Sequence, residues 1–354
     1  LPAGTAGDVV AIKDYANTFD SNAVTLVQNG SDKIGGSAVN AVLSTEGLAV
    51  TLVFVDSTQG WLVTDNGTQD TAPTTRFITA TGGTITCSGN FRIHTFTGPG
   101  ALCVSCAGNP SGSTTVDYLV VASGGGGGSG LGGGGGAGGF RTNFPSSCSG
   151  IPVSVQPYPI AVGSGGAAGI PDGGSGTPGN NSTFSSITST AGGGAVARSS
   201  PTPVGPGGSG GGGSGLAAYP GGTGNTPPTS PPQGNDGGDG SSGTKRSGGG
   251  GGGAAGDGGD ALSATYAVGG VGSSNSITGS AIFYAGGGGG NGDPGGPAPS
   301  GLGGNGGGGN GGPSTNGTAG AANTGGGGGG GAGSCSNGAA GGSGIVIIRY
   351  KFQN

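Results

Sequence analysis

Gly124-Gly125-Gly126-Gly127-Gly128-Ser129-Gly130-Leu131-Gly132-Gly133-Gly134-Gly135-Gly136-Ala137-Gly138-Gly139 is the stretch whose reading decides the fold. Similar runs recur at residues 248–253, 286–290 and 325–331, in a glycine series that extends to Gly344. A glycine run has no side chain to bury, so it cannot build an ordinary hydrophobic core. Ordering each backbone unit costs roughly 1–2 kcal/mol, with glycine at the upper end. Either the series is disordered, or its own N–H and C=O groups supply the cohesion. Collagen is excluded, because glycine does not recur strictly every third residue and proline avoids the longest runs.

An ordered glycine run of polyproline-II type has three residues per turn and a rise of about 3.1 Å, with no internal hydrogen bonds. All its polar groups point outward, and burying them unpaired is costly. Neighbouring runs can satisfy them only if the backbones approach closely, which a Cβ on an inner face would block. A helix surrounded on every side is therefore expected to be pure glycine, and an edge helix can carry Asn, Ser, Asp or Ala outward. Run 325–331 is expected to be central and roughly 20 Å long. Asp236 and Asp239, like Asp257 and Asp260, are three apart, as on the outward face of edge helices. Each hydrogen bond nets only about 1 kcal/mol, so ten or so runs packed in a lattice are needed.

The interruptions favour such an ordered solid over a linker. They fall at 140–162, 170–190, 196–204, 216–233, 261–284 and 293–300, rich in Pro, Asn, Thr and aromatics. Two echo each other: Tyr158-Pro159-Ile160-Ala161-Val162-Gly163 followed by Ser186-Ile187-Thr188, and Tyr266-Ala267-Val268-Gly269 followed by Ser276-Ile277-Thr278. This recurrence suggests one structural unit used twice.

Ahead of the series, residues 1–72 alternate short apolar runs with Gly, Asn and Asp turns, the pattern of a small β module. A lone sheet of this size buries little surface, so association with copies of itself is expected. Asp14 and Asp56 read as solvated turn residues. Residues 73–122 read as a β platform, with strand-like pieces at 77–80, 91–96, 102–106 and 116–121. Residues 123–344 are the glycine-rich domain. Residues 345–354 hold the most apolar strand, expected to close the domain against Tyr118-Leu119-Val120-Val121 or Ala281-Ile282-Phe283-Tyr284. The expected fold class is mostly β plus a polyglycine-II helix lattice, with almost no α-helix.

With 354 residues there is room for two or three domains. Only 7% of residues are charged and the net charge is −5. This gives no basic footprint, so nucleic acid is not an expected partner. No apolar run approaches the roughly 20 residues of a membrane span. The opening Leu1-Pro2-Ala3 shows neither the charged nor the apolar region of a signal peptide. Cys103-x-x-Cys106 has the spacing of a zinc or redox pair, but it sits in a strand-like run and His94 is the lone histidine. Small buried or disulfide-paired cysteines are the plainer reading, and His94 reads as a structural or exposed strand residue. The acidic residues of the series read as solvated, with weak calcium binding as the lesser alternative. No catalytic constellation emerges, so the chain is expected to be non-enzymatic, with no cofactor and no metal site.

Three groups of residues carry a resemblance. Gly7-Asp8-Val9-Val10-Ala11-Ile12-Lys13-Asp14-Tyr15, Asn29-Gly30-Ser31-Asp32-Lys33-Ile34 and Val50-Thr51-Leu52-Val53-Phe54-Val55 resemble a β module of marine and cyanobacterial phage tail fibres. The glycine series resembles the polyglycine-II sandwich of the distal adhesins of T-even-like phage long tail fibres. The ending Gly341-Gly342-Ser343-Gly344-Ile345-Val346-Ile347-Ile348-Arg349-Tyr350 is similar to the terminus of glycine-rich fibre proteins. The resemblance implies a virion tail fibre, homotrimeric through the N-terminal module and joined to other fibre proteins. Its loops would bind a bacterial surface receptor, a glycan or an outer-membrane protein. In the T-even arrangement the adhesin is a separate chain, whereas here shaft-like and glycine-rich parts are fused.

Specificity in such a protein belongs to loops displayed on a rigid scaffold. The candidate receptor-binding residues are the aromatics Phe140, Phe144, Tyr158 and Tyr219, with Arg141, Arg198, Lys245 and Arg246 as anchors. The alternative for Phe140 and Tyr158 is packing against lattice ends; Tyr219, beside Pro220, is expected to be the most exposed. Two other functions fit a glycine-rich bundle: an ice-binding protein with a flat outer face, and a structural extracellular filament.

Overall fold

The computed structural model describes residues 1–67, 75–145, 150–171, 174–198, 205–216, 219–242, 246–261, 266–292, 300–333 and 335–354. The chain divides into two compact units, Leu1–Thr75 and Arg76–Asn354. Among the described residues there is no α-helix.

The first unit is a small β module. Strands β1 (Val9–Lys13), β4 (Ala49–Phe54) and β5 (Trp61–Gly67) form an antiparallel sheet in the order β1-β4-β5, and β2 (Val24–Leu26) pairs with β3 (Ala41–Leu43). Alternation along β4 puts Val50, Leu52 and Phe54 inward, where they meet Leu26, Leu43 and Trp61. Phe54 and Trp61 pack edge to face, ring centroids 5.5 Å apart. One expectation needs correction. Asp14 is not a solvated turn residue but is 1% exposed. Its carboxylate accepts the N–H groups of Thr18, Phe19 and Gly47 at 2.9–3.0 Å, pinning two distant turns together. Asp56 is a turn residue, accepting from Thr58 and Gln59.

The second unit is a β-sandwich continued by a glycine lattice. Its strands are β6 (Ile78–Thr81), β7 (Thr84–Ser88), β8 (Phe91–Phe96), β9 (Gly100–Ala107), β10 (Thr115–Val121), β11 (Phe140–Thr142), β12 (Ile151–Pro152), β13 (Pro157–Ala161), β14 (Ser182–Phe184), β15 (Ile187–Ser189), β16 (Ser273–Asn275), β17 (Ile282–Tyr284) and β18 (Ile345–Lys351). One sheet runs β11-β10-β18-β8-β7, with β12 also on β10; the other runs β15-β14-β13-β9-β6. Between them lie Ile78, Leu102, Val104, Tyr158, Ile160 and Phe184 on one side, and Val116, Tyr118, Val120, Val346, Ile348 and Tyr350 on the other. The opposite face of β10 and β18 is buried too: Leu119, Val121, Ile345 and Ile347 pack with Ile277, Tyr284 and Ala137. A strand covered on both faces needs a continuous apolar run, which is why Leu119-Val120-Val121 and Ile345-Val346-Ile347-Ile348 lack alternation. The closing strand therefore pairs with β10, as expected, and with β8, but not with β17. Platform and closing strand are parts of one sandwich, completed by β13, β14 and β15 from the interruptions.

The glycine runs leave one end of this sandwich. Run 326–331 shows how they cohere. Gly327 and Gly330 donate to Gly286 and Gly289, Gly328 and Gly331 to Gly125 and Gly128, and Gly329 and Ala332 to Thr318 and Thr315. It accepts from Gly309 and Gly312, from Gly135 and Gly132, and from Gly342 and Ala339. These bonds are 2.7–3.3 Å long, and every third residue returns to the same neighbour. That is the threefold repeat of a polyglycine-II helix, here with six neighbours, some parallel and some antiparallel. Run 132–138 is enclosed in the same way, by residues 325–331, 193–196, 249–252, 288–291, 125–128 and 209–212. A Cβ on Gly327 would fall 1.9 Å from the oxygen of Gly135, and one on Gly134 2.0 Å from that of Gly288.

Edge helices use side chains where the lattice runs out of backbone. Asp239 accepts from the Gly221 N–H and Asp260 from the Asp239 N–H, at 2.8 Å each. Asp236 and Asp257 do the same one turn away, for Gly224 and Asp236. The acidic residues are exposed, as expected, yet they also cap edge donors. The two echoing interruptions are not one unit used twice: Tyr158 to Ala161 lie in β13, whereas Tyr266 to Gly269 run within the lattice, and only the second halves are both hairpins, in different registers. Ile187 begins strand β15, whereas Ile277 sits in the β16–β17 turn and is buried beneath β18.

Candidate functional site

The connections of the lattice sort its two ends. Runs beginning at residues 122, 190 and 285 continue strands β10, β15 and β17, and those ending at 139, 181 and 344 enter β11, β14 and β18. One end is thus welded to the sandwich. The turns at 254–256, 305–307 and 322–325 also lie there, beside Ala285, Gly286 and Gly138, whereas the other end, among the described residues, is made of turns alone. Ser129-Gly130-Leu131 joins the first two runs, with Gly130 and Leu131 both in the left-handed region (φ 50° and 63°). Around it, the Ser129 N–H donates to Gly174, Arg198 to Ser129, Gly130 to Ser336, and Gly215 to Leu131. The Ser214 hydroxyl also donates to the Leu131 carbonyl, and Gly248 donates to the Asn291 side chain. Turns from widely separated parts of the chain meet in one surface.

This divides the candidate residues. Arg198 belongs to the turn end, its stem beside Gly130. Tyr219 is there too, its N–H bonded to Ser214 and its carbonyl to Gly240. It is half-buried, not the freely exposed ring expected, because the lattice holds its backbone on both sides. Arg246 is exposed next to Ser247, which bonds Ser241 across the same end. Lys245 lies outside the described residues.

The other four lie at the sandwich: Phe140 and Arg141 in strand β11, Tyr158 in strand β13, and Phe144 in the turn that follows β11. Tyr158 is in strand β13 and 8% exposed, its ring 6.1 Å from Phe184 and its hydroxyl bonded to the Ser154 N–H. A ring so enclosed offers no face to a receptor. Phe140 sits in β11 opposite Val121 and packs on the second core, as does Phe144. Arg141 is paired opposite Val120 in the same strand and reaches the Thr188 carbonyl at 3.4 Å. Packing rather than display describes all three aromatics, Phe140 and Phe144 on the cluster that includes Ala137 of the lattice and Tyr158 inside the sandwich core.

One residue at the turn end was missed. Ile170 is 68% exposed and its carbonyl accepts from Gly174. The signal was a large apolar residue in Gly169-Ile170-Pro171, immediately after a run that needs none. The turn at Pro313, Ser314, Thr315 and Asn316 is likewise exposed, and Ala332 donates to Thr315.

The remaining chemistry-bearing residues lie elsewhere. His94 is fully buried, Nδ1 on the Gly82 carbonyl at 2.7 Å and Nε2 on the Tyr350 hydroxyl at 3.0 Å. Cys87, Cys103, Cys106 and Cys335 are free thiols; Cys87, Cys103 and Cys335 are exposed, not buried or paired as expected. Cys148 lies outside the described residues. No group of three or more His, Cys, Asp or Glu side chains suited to a metal ion occurs among the described residues.

Comparison with curated proteins finds no match. A family model described as a glycine-rich domain matches residues 104–351, from β9 through the whole lattice to β18. That span takes in both the runs and the strand that closes them, and the chain belongs to this glycine-rich domain family.

Proposed function

We propose that this chain is a phage tail-fibre adhesin that attaches to a bacterial surface receptor through the turn end of its lattice. The observation that supports it most is the segregation of the lattice ends. Backbone hydrogen bonds hold the runs rigidly, so the turns carrying Ile170, Arg198, Tyr219 and Arg246 are displayed together with little ordering cost on binding. The receptor is a glycan or an outer-membrane protein, and the function is attachment, not catalysis.

The first unit is read as the part that joins copies into a trimer and meets other fibre proteins. Its support is apolar surface left uncovered: Val9 is 61% exposed, Val42 60% and Val63 53%. Adsorption of the purified chain to a panel of bacteria tests the attachment role. Exchanging turns 170–174 and 214–219 for glycine-serine turns of equal length is expected to abolish adsorption while the melting curve is kept. Unchanged adsorption would sink the mechanism. Thermal hysteresis would favour an ice-binding bundle instead, and self-assembly into fibres a structural filament.

A further inference from the structure

The buried second face of the central sheet ends abruptly. Along β10 and β18, apolar residues face the β16–β17 hairpin as far as Leu119 and Ile347. The next residues on that face are Asp117 and Arg349, directly opposite each other across the two strands. Here a cleft of about 420 Å³ opens, lined among others by Phe91, Thr115, Asp117, Phe144, Arg349 and Lys351. A charged pair ending a core row is in itself a common way to meet solvent.

The detail goes further than that. The Arg349 guanidinium is clamped between two rings, 3.9 Å from the centroid of Phe91 and 4.7 Å from that of Phe144. Its Nε is buried with no hydrogen-bond partner among the described residues. Asn143 holds Asp117 from the side, donating to Oδ1 at 3.4 Å, and is itself fixed by the Tyr118 N–H at 2.7 Å. Burial holds the Asp117 carboxyl above its usual range, against the pull of Arg349, and holds Arg349 below its own. A planar donor and a carboxylate acceptor are thus pre-positioned side by side, partly desolvated, between apolar ring edges and threonine hydroxyls. The volume is within the usual range for small-molecule sites.

We infer that this cleft is a saccharide subsite, taking a neutral hexose unit whose adjacent hydroxyls bond Asp117 and Arg349 and whose apolar face lies against Phe91 and Phe144. A simple anion suits it less, because the carboxylate of Asp117 stands beside Arg349, and the ammonium of Lys351, the other cation lining the cleft, is bonded to Asn354 Oδ1 at 2.8 Å. A pair of vicinal hydroxyls, each able to donate and accept, matches both groups at once. The site is remote in the sequence and in the fold from the lattice turns, so it does not depend on their role.

Saturation-transfer NMR on the whole chain tests this, with methyl glycosides of galactose, glucose, mannose and N-acetylglucosamine as probes and inorganic phosphate as the competing anion. Saturable transfer to at least one glycoside is expected, concentrated on the ring protons of one face. Asp117→Ala and Arg349→Lys should each weaken it tenfold or more, with the melting curve of Asp117→Ala unchanged. If Arg349→Lys fails to fold, Asp117→Ala and Thr115→Ala carry the test. Absence of transfer to every glycoside, equal affinity in Asp117→Ala, or displacement by phosphate at matching concentration would each overturn the assignment.

Discussion

His94 is neutral because of what surrounds it. With Nδ1–H donating to Gly82, Nε2 accepts the Tyr350 hydroxyl proton, and that oxygen in turn accepts the Ala80 N–H at 3.1 Å. Every group is satisfied only while the ring is uncharged. Burial, aided by the Arg92 charge and opposed by the Gly82 bond, lowers the His94 pKa. The unfolded chain then binds more protons below about pH 6.5. Stability is therefore expected to be full above that pH and to fall as the pH drops toward 5, and His94→Gln should flatten this dependence in melts taken across the range. Tyr350→Phe strands both partners and is expected to cost about 1–3 kcal/mol in denaturant titrations. Asp14 has the opposite place in the pH scale. Burial pushes its carboxyl up, but the N–H groups of Phe19, Thr18, Gly47 and Asn17 together hold it below the usual value. Its contribution is present above about pH 4 and is lost on acidification below that. None of this was legible in the sequence, since a lone His or Asp looks the same in a turn and in a core.

At the scale of the element, the glycine helix stands on the absence of Cβ atoms where six neighbours converge. Gly327→Ala would drive a methyl group into backbone that has no rotamer to yield, and a loss above about 4 kcal/mol is expected by chemical denaturation. Gly256→Ala, in the bend after run 248–253 where the nearest atom would be a Val271 methyl at 3.4 Å, should change stability by less than about 1 kcal/mol. The edge device has its own test. Asp239→Ala removes the acceptor of the Gly221 N–H, so amide exchange at Gly221 should accelerate, and Asp239→Asn should restore protection. The sequence marked out these helices well, because purity of glycine and the spacing of Asp236 and Asp239 follow from packing geometry. It did not reveal strand β7, whose Thr84-Ile85-Thr86-Cys87-Ser88 has no buried face to impose an alternating pattern.

For the whole molecule, the two units have separate cores. A chain of residues 76–354 is expected to fold alone and melt within about 2 °C of the same transition in the full chain, as followed by calorimetry. Removing residues 345–354 should instead prevent the second unit from folding, since β18 lies between β10 and β8 and contributes to both cores. The sequence by itself determined the materials: a β module, apolar strands at 116–121 and 345–350, and glycine runs that only a close-packed backbone lattice can order. Only the tertiary structure decided which run lies beside which, and so which interruptions become free turns and which become sandwich strands. The physical reason is that glycine carries no side chain to encode a partner. Neighbours in the lattice are selected by where each run leaves the sandwich and by the length of its turns. That is why Phe140, Phe144 and Tyr158, whose aromatic character alone suggested exposure, belong to the packed end, and Ile170 belongs to the free one.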